Sequence, residues 1–153
     1  MSIAPRLLAA TAASAVLFTA SPALAASWGT ITAYDGGVAQ GHAYGNFYNN
    51  NRTVAQSTSH FMDARPGGDK VRVETDFWWF GPDATCGDHT TACWWHDTSK
   101  QSQESNTGQW EYHTVARALR AGDSKARGAI DICEIQSWSN DPCSKHAVVS
   151  FAY

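Results

Sequence analysis

Two cysteines and two histidines lie within eleven residues, at Cys86, His89, Cys93 and His96. Zinc binds such side chains in a tetrahedral site, so this cluster is one candidate for a metal centre. Its spacing matches no common zinc-finger pattern, and in an oxidising compartment the same thiols form a disulfide. We therefore expect a Cys86–Cys93 disulfide, without a metal or other cofactor, and keep zinc binding as the alternative.

Several histidines could act as a base beside a serine nucleophile: His42, His60, His113 and His146. The sequence contains no Gly-x-Ser-x-Gly motif of the kind that presents a nucleophilic serine. Members of a catalytic triad need not be close in sequence, so a hydrolase remains an alternative. No motif joins a nucleophile, a base and an orienting group, and we expect a protein that is not an enzyme.

Four acidic residues could supply the carboxylate pair of a glycosidase: Glu74, Asp76, Glu111 and Asp131. All of them occupy the polar positions of predicted strands. A solvated strand face explains acidic residues at such positions without catalysis. We therefore place no catalytic residue among them.

Two pairs of adjacent tryptophans, Trp78-Trp79 and Trp94-Trp95, flank the first two cysteines. Neighbouring residues of a strand point to opposite faces, so one tryptophan of each pair can enter the core while the other faces outward. An outward tryptophan often anchors a protein interface or a sugar. We take Trp79 and Trp95 as the candidate binding residues, with core packing as the alternative.

These side chains must be positioned by β-strands, because helical patterns are almost absent and Thr, Val, Trp and Tyr are frequent. Short runs bounded by turn residues predict strands at 28–34, 38–48, 53–63, 70–80, 109–119, 125–135 and 146–153. The turn residues at 66–69 predict a hairpin between the third and fourth runs. The pattern indicates an all-β, disulfide-bonded, antiparallel sandwich or barrel-like domain.

Two segments stand apart from these strands. Residues 81–108 are polar and rich in residues typical of loops. Such insertions often carry binding or catalytic residues, and we take Lys100 as a candidate for contact with a partner protein. Residues 26–37 form an extended N-terminal strand in which Trp28, Thr30, Thr32 and Tyr34 alternate. This strand could add to the edge of a partner's sheet, or it could pair within its own sheet. The remainder, 38–153, is expected to be one β domain.

Residues 1–25 have the order of a secretory signal peptide: one basic residue, an apolar run, and the small residues Ala23-Leu24-Ala25. Cleavage after Ala25 would release a secreted chain of 128 residues. Export favours oxidised thiols, and the four cysteines allow three pairings. We prefer Cys86–Cys93 with Cys133–Cys143, because each pair brackets a polar loop.

The acidic balance of the chain limits its partners. The formal net charge is −3 and becomes about −4 once Arg6 is removed with the leader. Phosphate binding requires a basic face, so the charge argues against nucleic acid. No run of Lys or Arg could bind an anionic membrane, and the apolar run of the leader is too short to span one.

The order of several motifs resembles a known group of proteins. The motifs occur in a fixed order after the leader. They are Trp28-Gly29, Ala33-Tyr34-Asp35-Gly36-Gly37, the segment 45–50, Trp78-Trp79-Phe80, the Cys86…Cys93 loop, the segment 126–128 and the terminal segment 149–153. Together they look like the small adaptor subunits of umbrella toxin particles, which actinomycetes secrete. The resemblance spans most of the mature chain, and none of its motifs is a catalytic signature.

That resemblance implies a non-enzymatic adaptor in an antibacterial complex. Its partners would be a large toxin polypeptide with helical repeats and a lectin subunit with a trypsin-like domain. The segment 26–37 would bind the repeats, and the insertion 81–108 is our candidate for holding the lectin. A free-standing secreted hydrolase or inhibitor, and a carbohydrate-binding module, are the alternative functions.

Overall fold

The computed structural model describes residues 25–153, which form two antiparallel β-sheets packed against each other. The predicted signal peptide lies outside the described residues, apart from Ala25. The strands are β1 (Ala26–Ser27), β2 (Ile31–Asp35), β3 (Val38–Asn50), β4 (Val54–Asp63), β5 (Lys70–Pro82), β6 (Ala92–Gln101), β7 (Glu111–Ala118), β8 (Lys125–Ile135) and β9 (Ala147–Ala152). The predicted all-β, sandwich-like class is confirmed.

The first sheet contains five strands and the second contains four. In the first sheet, β3 pairs with β4 and β4 with β7, while β1 and β2 both pair along the other side of β3. The second sheet has the order β6-β5-β8-β9. Across the core β3 contacts β8 and β4 contacts β5, so the central strands of the two sheets cover each other.

Strand β5 shows how the sequence builds the core. Val71, Val73, Thr75, Phe77 and Trp79 are all buried, and the residues between them are partly exposed. This period of two places one face of the strand in the core and leaves the other for polar groups. Thr75 also donates a hydrogen bond from Oγ1 to Ser57 Oγ of β4, at 3.3 Å, which links the two sheets inside the core.

The predicted hairpin between 53–63 and 70–80 is wrong. β4 pairs with β3 and β7, whereas β5 pairs with β6 and β8, so residues 64–69 carry the chain from one sheet to the other. Turn residues mark a reversal of the chain, but they do not specify which sheet the next strand joins. Here the buried faces of β4 and β5 pack against each other across the core.

The polar region 81–108 contains a strand, β6, that the sequence analysis missed. β6 is an edge strand, and Trp95 is its one buried residue. Its pairing with β5 shifts register, from Phe77 opposite Thr98 to Trp78 opposite His96, so that Asp97 has no opposite residue. A bulge of this kind interrupts the alternation from which a strand is recognised.

Both predicted disulfides are confirmed. Cys86–Cys93 closes the loop between β5 and β6, and Cys133–Cys143 fastens the loop after β8. The described residues contain no free cysteine. Across residues 25–153, no helix is long and apolar enough to cross a membrane.

The N-terminal segment pairs within its own sheet, which decides between the two alternatives left open above. β1 and β2 both pair with β3 in antiparallel fashion. Between them, the backbone N–H of Trp28 donates a hydrogen bond to the backbone carbonyl of Gly45 at 3.0 Å. Trp28 is 6 % exposed, and Ala33 is fully buried. A Cβ on Gly45 would clash with the Thr58 carbonyl of β4 and lie 2.7 Å from the Trp28 ring, so the glycine lets both approach β3 closely. Burial of this kind argues that the segment contributes to folding.

We predict that Trp28→Ala destabilises the protein strongly. Removing a large buried aromatic side chain costs about 3–5 kcal/mol of unfolding free energy, because transfer free energy is lost and a cavity remains. Tyr34→Ala is the matched control, since Tyr34 lies in the same segment and is 58 % exposed. Urea unfolding of both variants measures the difference. Equal stabilities of the two variants would show that the segment is dispensable for folding.

Candidate functional site

The two long sides of the sandwich differ. On one side, Arg117 of β7 forms a two-point ion pair with Asp97 of β6, at 2.6 and 3.3 Å. Beside it, Arg120 bonds to Asp83 at 3.1 Å and lies over the Trp95 ring at 4.4 Å. These contacts join the edges of the two sheets and close this side.

The other side is open. β2 pairs with β3 only, so its second edge has no strand partner among the described residues. A cleft of about 460 Å³ runs beside this edge, lined by Thr30, Ile31, Thr32, Tyr34, Cys143, Ser144 and Lys145. The sandwich therefore presents an unpaired strand edge together with a cavity.

The wall opposite β2 is held firmly. The disulfide joins Cys143 to Cys133 in β8, and the Ser144 N–H donates to Ile132 O at 2.9 Å. On the β2 side, Thr32 Oγ1 lies 2.9 Å from His42 Nδ1 of β3. Both walls are thus tied to central strands, and an extended segment entering the cleft would meet a preformed surface.

Three predicted binding residues meet in this cleft: Thr30, Thr32 and Tyr34. The sequence analysis missed the opposite wall, residues 143–145, because it lies more than a hundred positions away along the chain. Its only sequence signal was the cysteine at its start. Lys100 is exposed and lies near the end of β6, the edge strand of the opposite side.

The other three predicted binding residues are buried, which corrects the earlier assignment. Trp28, Trp79 and Trp95 are 6 %, 1 % and 9 % exposed and belong to the core. In each tryptophan pair it is the first member, Trp78 or Trp94, that faces outward. In β5 the alternation itself places Trp79 on the inner face with Val73 and Phe77, so the outward assignment of Trp79 was wrong on the sequence pattern as well. In β6 the bulge interrupts the alternation, so the pattern did not indicate that Trp95 points inward.

The outer face of the second sheet carries the charged side chains of β5 and β8. The Arg127 guanidinium lies between two outward indoles, 5.0 Å from the Trp78 ring and 4.4 Å from the Trp94 ring. Further along β8, Asp131 Oδ2 forms an ion pair with His146 Nε2 at 3.0 Å. The cation–π contacts and the ion pair together fix the orientation of the side chains on this face.

One serine, one histidine and one aspartate meet on this face without forming a catalytic triad. His96 Nε2 lies 3.3 Å from Ser99 Oγ and 3.6 Å from Asp76 Oδ1. Ser99 also bonds directly to Asp76. In a triad the serine and the carboxylate contact opposite ring nitrogens, so that the histidine can pass a proton between them. Here both approach Nε2, and this geometry does not activate the serine.

The candidate metal cluster is taken up by a disulfide, and the four glycosidase candidates are divided between the two sheets. Both sulfurs of the cysteine–histidine cluster are in the Cys86–Cys93 disulfide, so they are not available as zinc ligands. Glu111 lies in the first sheet and accepts hydrogen bonds from Ser105 and Thr107. Glu74 and Asp131 face each other across β5 and β8, and Asp76 lies close enough to Asp131 for its charge to act on it.

Asp131 is the most perturbed carboxyl on this face. Burial raises its pKa from 3.8 to about 6; the charge of His146 lowers it, and the charges of Glu74 and Asp76 raise it. Between about pH 4 and 6 the folded protein therefore keeps a proton that the unfolded chain releases. The contribution of Asp131 to stability is full below pH 4 and is lost as the pH rises to 6.

Comparison with known proteins finds no family model that matches this chain, and no significant match among curated proteins or solved structures. The candidate site consequently rests on geometry: an open strand edge, a cleft with two fixed walls, and an exposed contact on the opposite side.

We predict that an NMR titration of the Asp131 side-chain carboxyl gives a midpoint near pH 6. His146→Ala should move the midpoint upward, because a nearby cation is removed. Glu74→Gln should move it downward, because a nearby anion is removed. A wild-type midpoint near pH 4, or shifts of the same sign in both variants, would contradict this account of the site.

Proposed function

We propose that the chain is a secreted, non-enzymatic adaptor that joins a large helical-repeat toxin polypeptide to a lectin subunit. The sequence resemblance to umbrella toxin adaptors supplies the identity of the two partners. The two disulfides are consistent with an extracellular location. The proposal also needs two separate binding surfaces, because an adaptor must hold both partners at once.

The observation that carries the proposal is the position of the two predicted contact regions. β2, with its cleft, lies at the edge of the first sheet, where the second sheet ends in β9. Lys100 lies on β6, at the far edge of the second sheet, beneath β7 of the first. The two regions are on opposite sides of one rigid sandwich, so neither partner would obstruct the other.

Strand addition at β2 would bind the first partner. An extended segment can pair its backbone with the unpaired edge of β2, and those hydrogen bonds provide affinity that is independent of sequence. Alternate side chains of the segment would then enter the cleft between Thr32 and Ser144. Tyr34 offers a large ring with a polar tip at the rim, and such residues often anchor interfaces. Lys145 would favour an acidic group on the segment.

This arrangement changes the role expected for the N-terminal segment. As a detachable strand, it would leave its domain and insert into the partner. Because Trp28 and Ala33 are buried, leaving would expose core residues and cost stability. The segment would act instead as a fixed acceptor, with its inner face in the core and its edge open to the partner.

A second candidate function, carbohydrate binding, has its own supporting observation on the outer face of the first sheet. Tyr44, Trp110 and Tyr112 are exposed there, and His60 lies 5.0 Å from both tyrosine rings. Asn50 and Gln56, together with Tyr48, form a hydrogen-bonded row on the same strands. Aromatic rings beside amides and hydroxyls suit sugar rings, which present apolar faces and hydroxyl groups.

We predict that tagged mature protein, purified from the native secretome, brings with it a polypeptide with tandem helical repeats and a lectin with a trypsin-like domain. Thr30→Lys with Tyr34→Ala should weaken capture of the repeat polypeptide at least tenfold, about 1.4 kcal/mol, without lowering the melting temperature. Both residues are exposed, so the fold should tolerate the changes. Lys100→Glu should reduce capture of the lectin alone.

Tyr112→Ala is the matched control, because it removes an equally exposed tyrosine from another face. Loss of partner capture in this variant, or unchanged capture in the β2 variant, would refute strand addition at β2. Saturable binding of a soluble glycan that Tyr112→Ala abolishes, with no protein captured, would favour the carbohydrate-binding function instead.

A further inference from the structure

A polar cavity of about 530 Å³ lies at one end of the sandwich, where β2 ends, and it shares no lining residue with the cleft beside β2. Three segments enclose it: the turn between β2 and β3, the crossover 64–69, and the end of β8. Three carboxylates, two amides and one guanidinium line it, from Asp35, Asp69, Glu134, Gln40, Gln136 and Arg65. Carboxylates outnumber the single positive charge, so the cavity favours a cation.

Two polar side chains in the cavity wall are buried without sufficient partners. Glu134 is 6 % exposed; its carboxylate accepts one hydrogen bond, from Gln136 Nε2 at 3.0 Å, and pairs with no cationic side chain of residues 25–153. Gln40 is 5 % exposed, and its amide forms no hydrogen bond within the part of the chain that the structure describes. Both side chains line the cavity, so their remaining oxygen atoms are available to a ligand that enters it.

A third acidic residue lies directly behind the wall. Asp63 is 1 % exposed; its Oδ1 accepts the Arg65 N–H at 2.7 Å, while Oδ2 has no hydrogen-bond partner among the described residues. Its negative charge adds to the field of the cavity. The only cationic side chain in the lining, Arg65, is exposed and forms no ion pair with the described acidic residues.

A bulge in β3 places Gln40 at this point. Ala33 lies opposite Gly41 and Tyr34 lies opposite Ala39, so Gln40 is an extra residue without a counterpart in β2. Bulges redirect side chains, and they are frequent beside functional sites. At this irregularity the Gln40 side chain lies in the wall of the cavity.

We propose that this cavity binds a calcium ion, with the carboxylates of Glu134 and Asp35 and the amide oxygens of Gln40 and Gln136 as ligands. The Gln136 Nε2 group already lies between the two carboxylates, 3.0 Å from Glu134 Oε2 and 3.5 Å from Asp35 Oδ2. That position, between two anionic oxygens, suits a cation. The Gln136 Oε1 atom accepts a hydrogen bond from Ser139 Oγ, so rotation of the amide toward the ion would exchange that bond for a metal contact.

The donor set distinguishes calcium from other metal ions. All the proposed ligands are oxygens, whereas zinc and copper sites use histidine or cysteine, and neither type lines this cavity. Calcium accepts carboxylates, amide oxygens and waters in flexible geometry, while magnesium requires a compact octahedron. The described carboxylates do not converge in threes within 4.8 Å, so amide oxygens and waters must complete the shell.

We predict saturable calcium binding by isothermal titration, with a dissociation constant of about 10⁻⁴–10⁻³ M, the range of extracellular calcium modules. Calcium at ten times that constant should raise the melting temperature of chelator-treated protein by roughly 5 °C. Glu134→Gln should weaken binding at least tenfold. Because it removes an unpaired buried charge, the same variant should melt no lower than wild type in chelator.

Asp76→Asn is the matched control, because it removes a carboxylate from the outer face of the second sheet. Its calcium affinity should stay within twofold of the wild-type value. Asp35→Asn, at an exposed turn, repeats the test where folding is not at risk, and should also weaken binding. No calcium binding up to 10 mM, retained affinity in both Glu134→Gln and Asp35→Asn, or an equal loss in Asp76→Asn would overturn the proposal. Equal stabilisation by magnesium would do so as well.

Discussion

The structure depends on the burial of one face of β5 and β8, the two central strands of the second sheet. Phe77 and Trp79 from β5 and Ile130 and Ile132 from β8 are fully or almost fully buried, and the first sheet covers them. Apolar burial of this extent provides the main driving force for folding. Since the inner faces supply that force, the outer faces are free to carry ion pairs, cation–π contacts and a perturbed carboxyl. The apolar core and the charged groups thus occupy opposite faces of the same strands.

Much of this fold could be predicted from the sequence, because several strands alternate strictly and turn residues bound them. β8 was predicted at its observed limits, and both disulfides were predicted correctly. The prediction failed where local pattern does not determine the outcome. The bulge at Asp97 concealed β6, and the turn before β5 did not reveal that the chain changes sheets. The same bulge hid which member of the Trp94-Trp95 pair is buried.

The candidate binding site was only half predictable. Thr30, Thr32 and Tyr34 belong to one alternating run, so they could be grouped from the sequence. The facing wall comes from residues 143–145, which reach β2 only because a disulfide and a backbone hydrogen bond hold them on β8. The acidic end cavity was not predicted at all, since it gathers residues from three distant segments. Such sites are created by tertiary structure, and a single sequence offers no period from which to find them.

The pairing of β5 with β8 also has a kinetic consequence. These strands are separated by more than forty residues, so the second sheet cannot form until nearly the whole chain is available. Folds dominated by such non-local contacts fold slowly, because loop-closure entropy is lost before the contacts compensate for it. The β3–β4 hairpin can form early from neighbouring residues, whereas its apolar face stays uncovered until β8 arrives. A chain of this topology is therefore vulnerable to aggregation in the interval between formation of its first hairpin and pairing of its last strands.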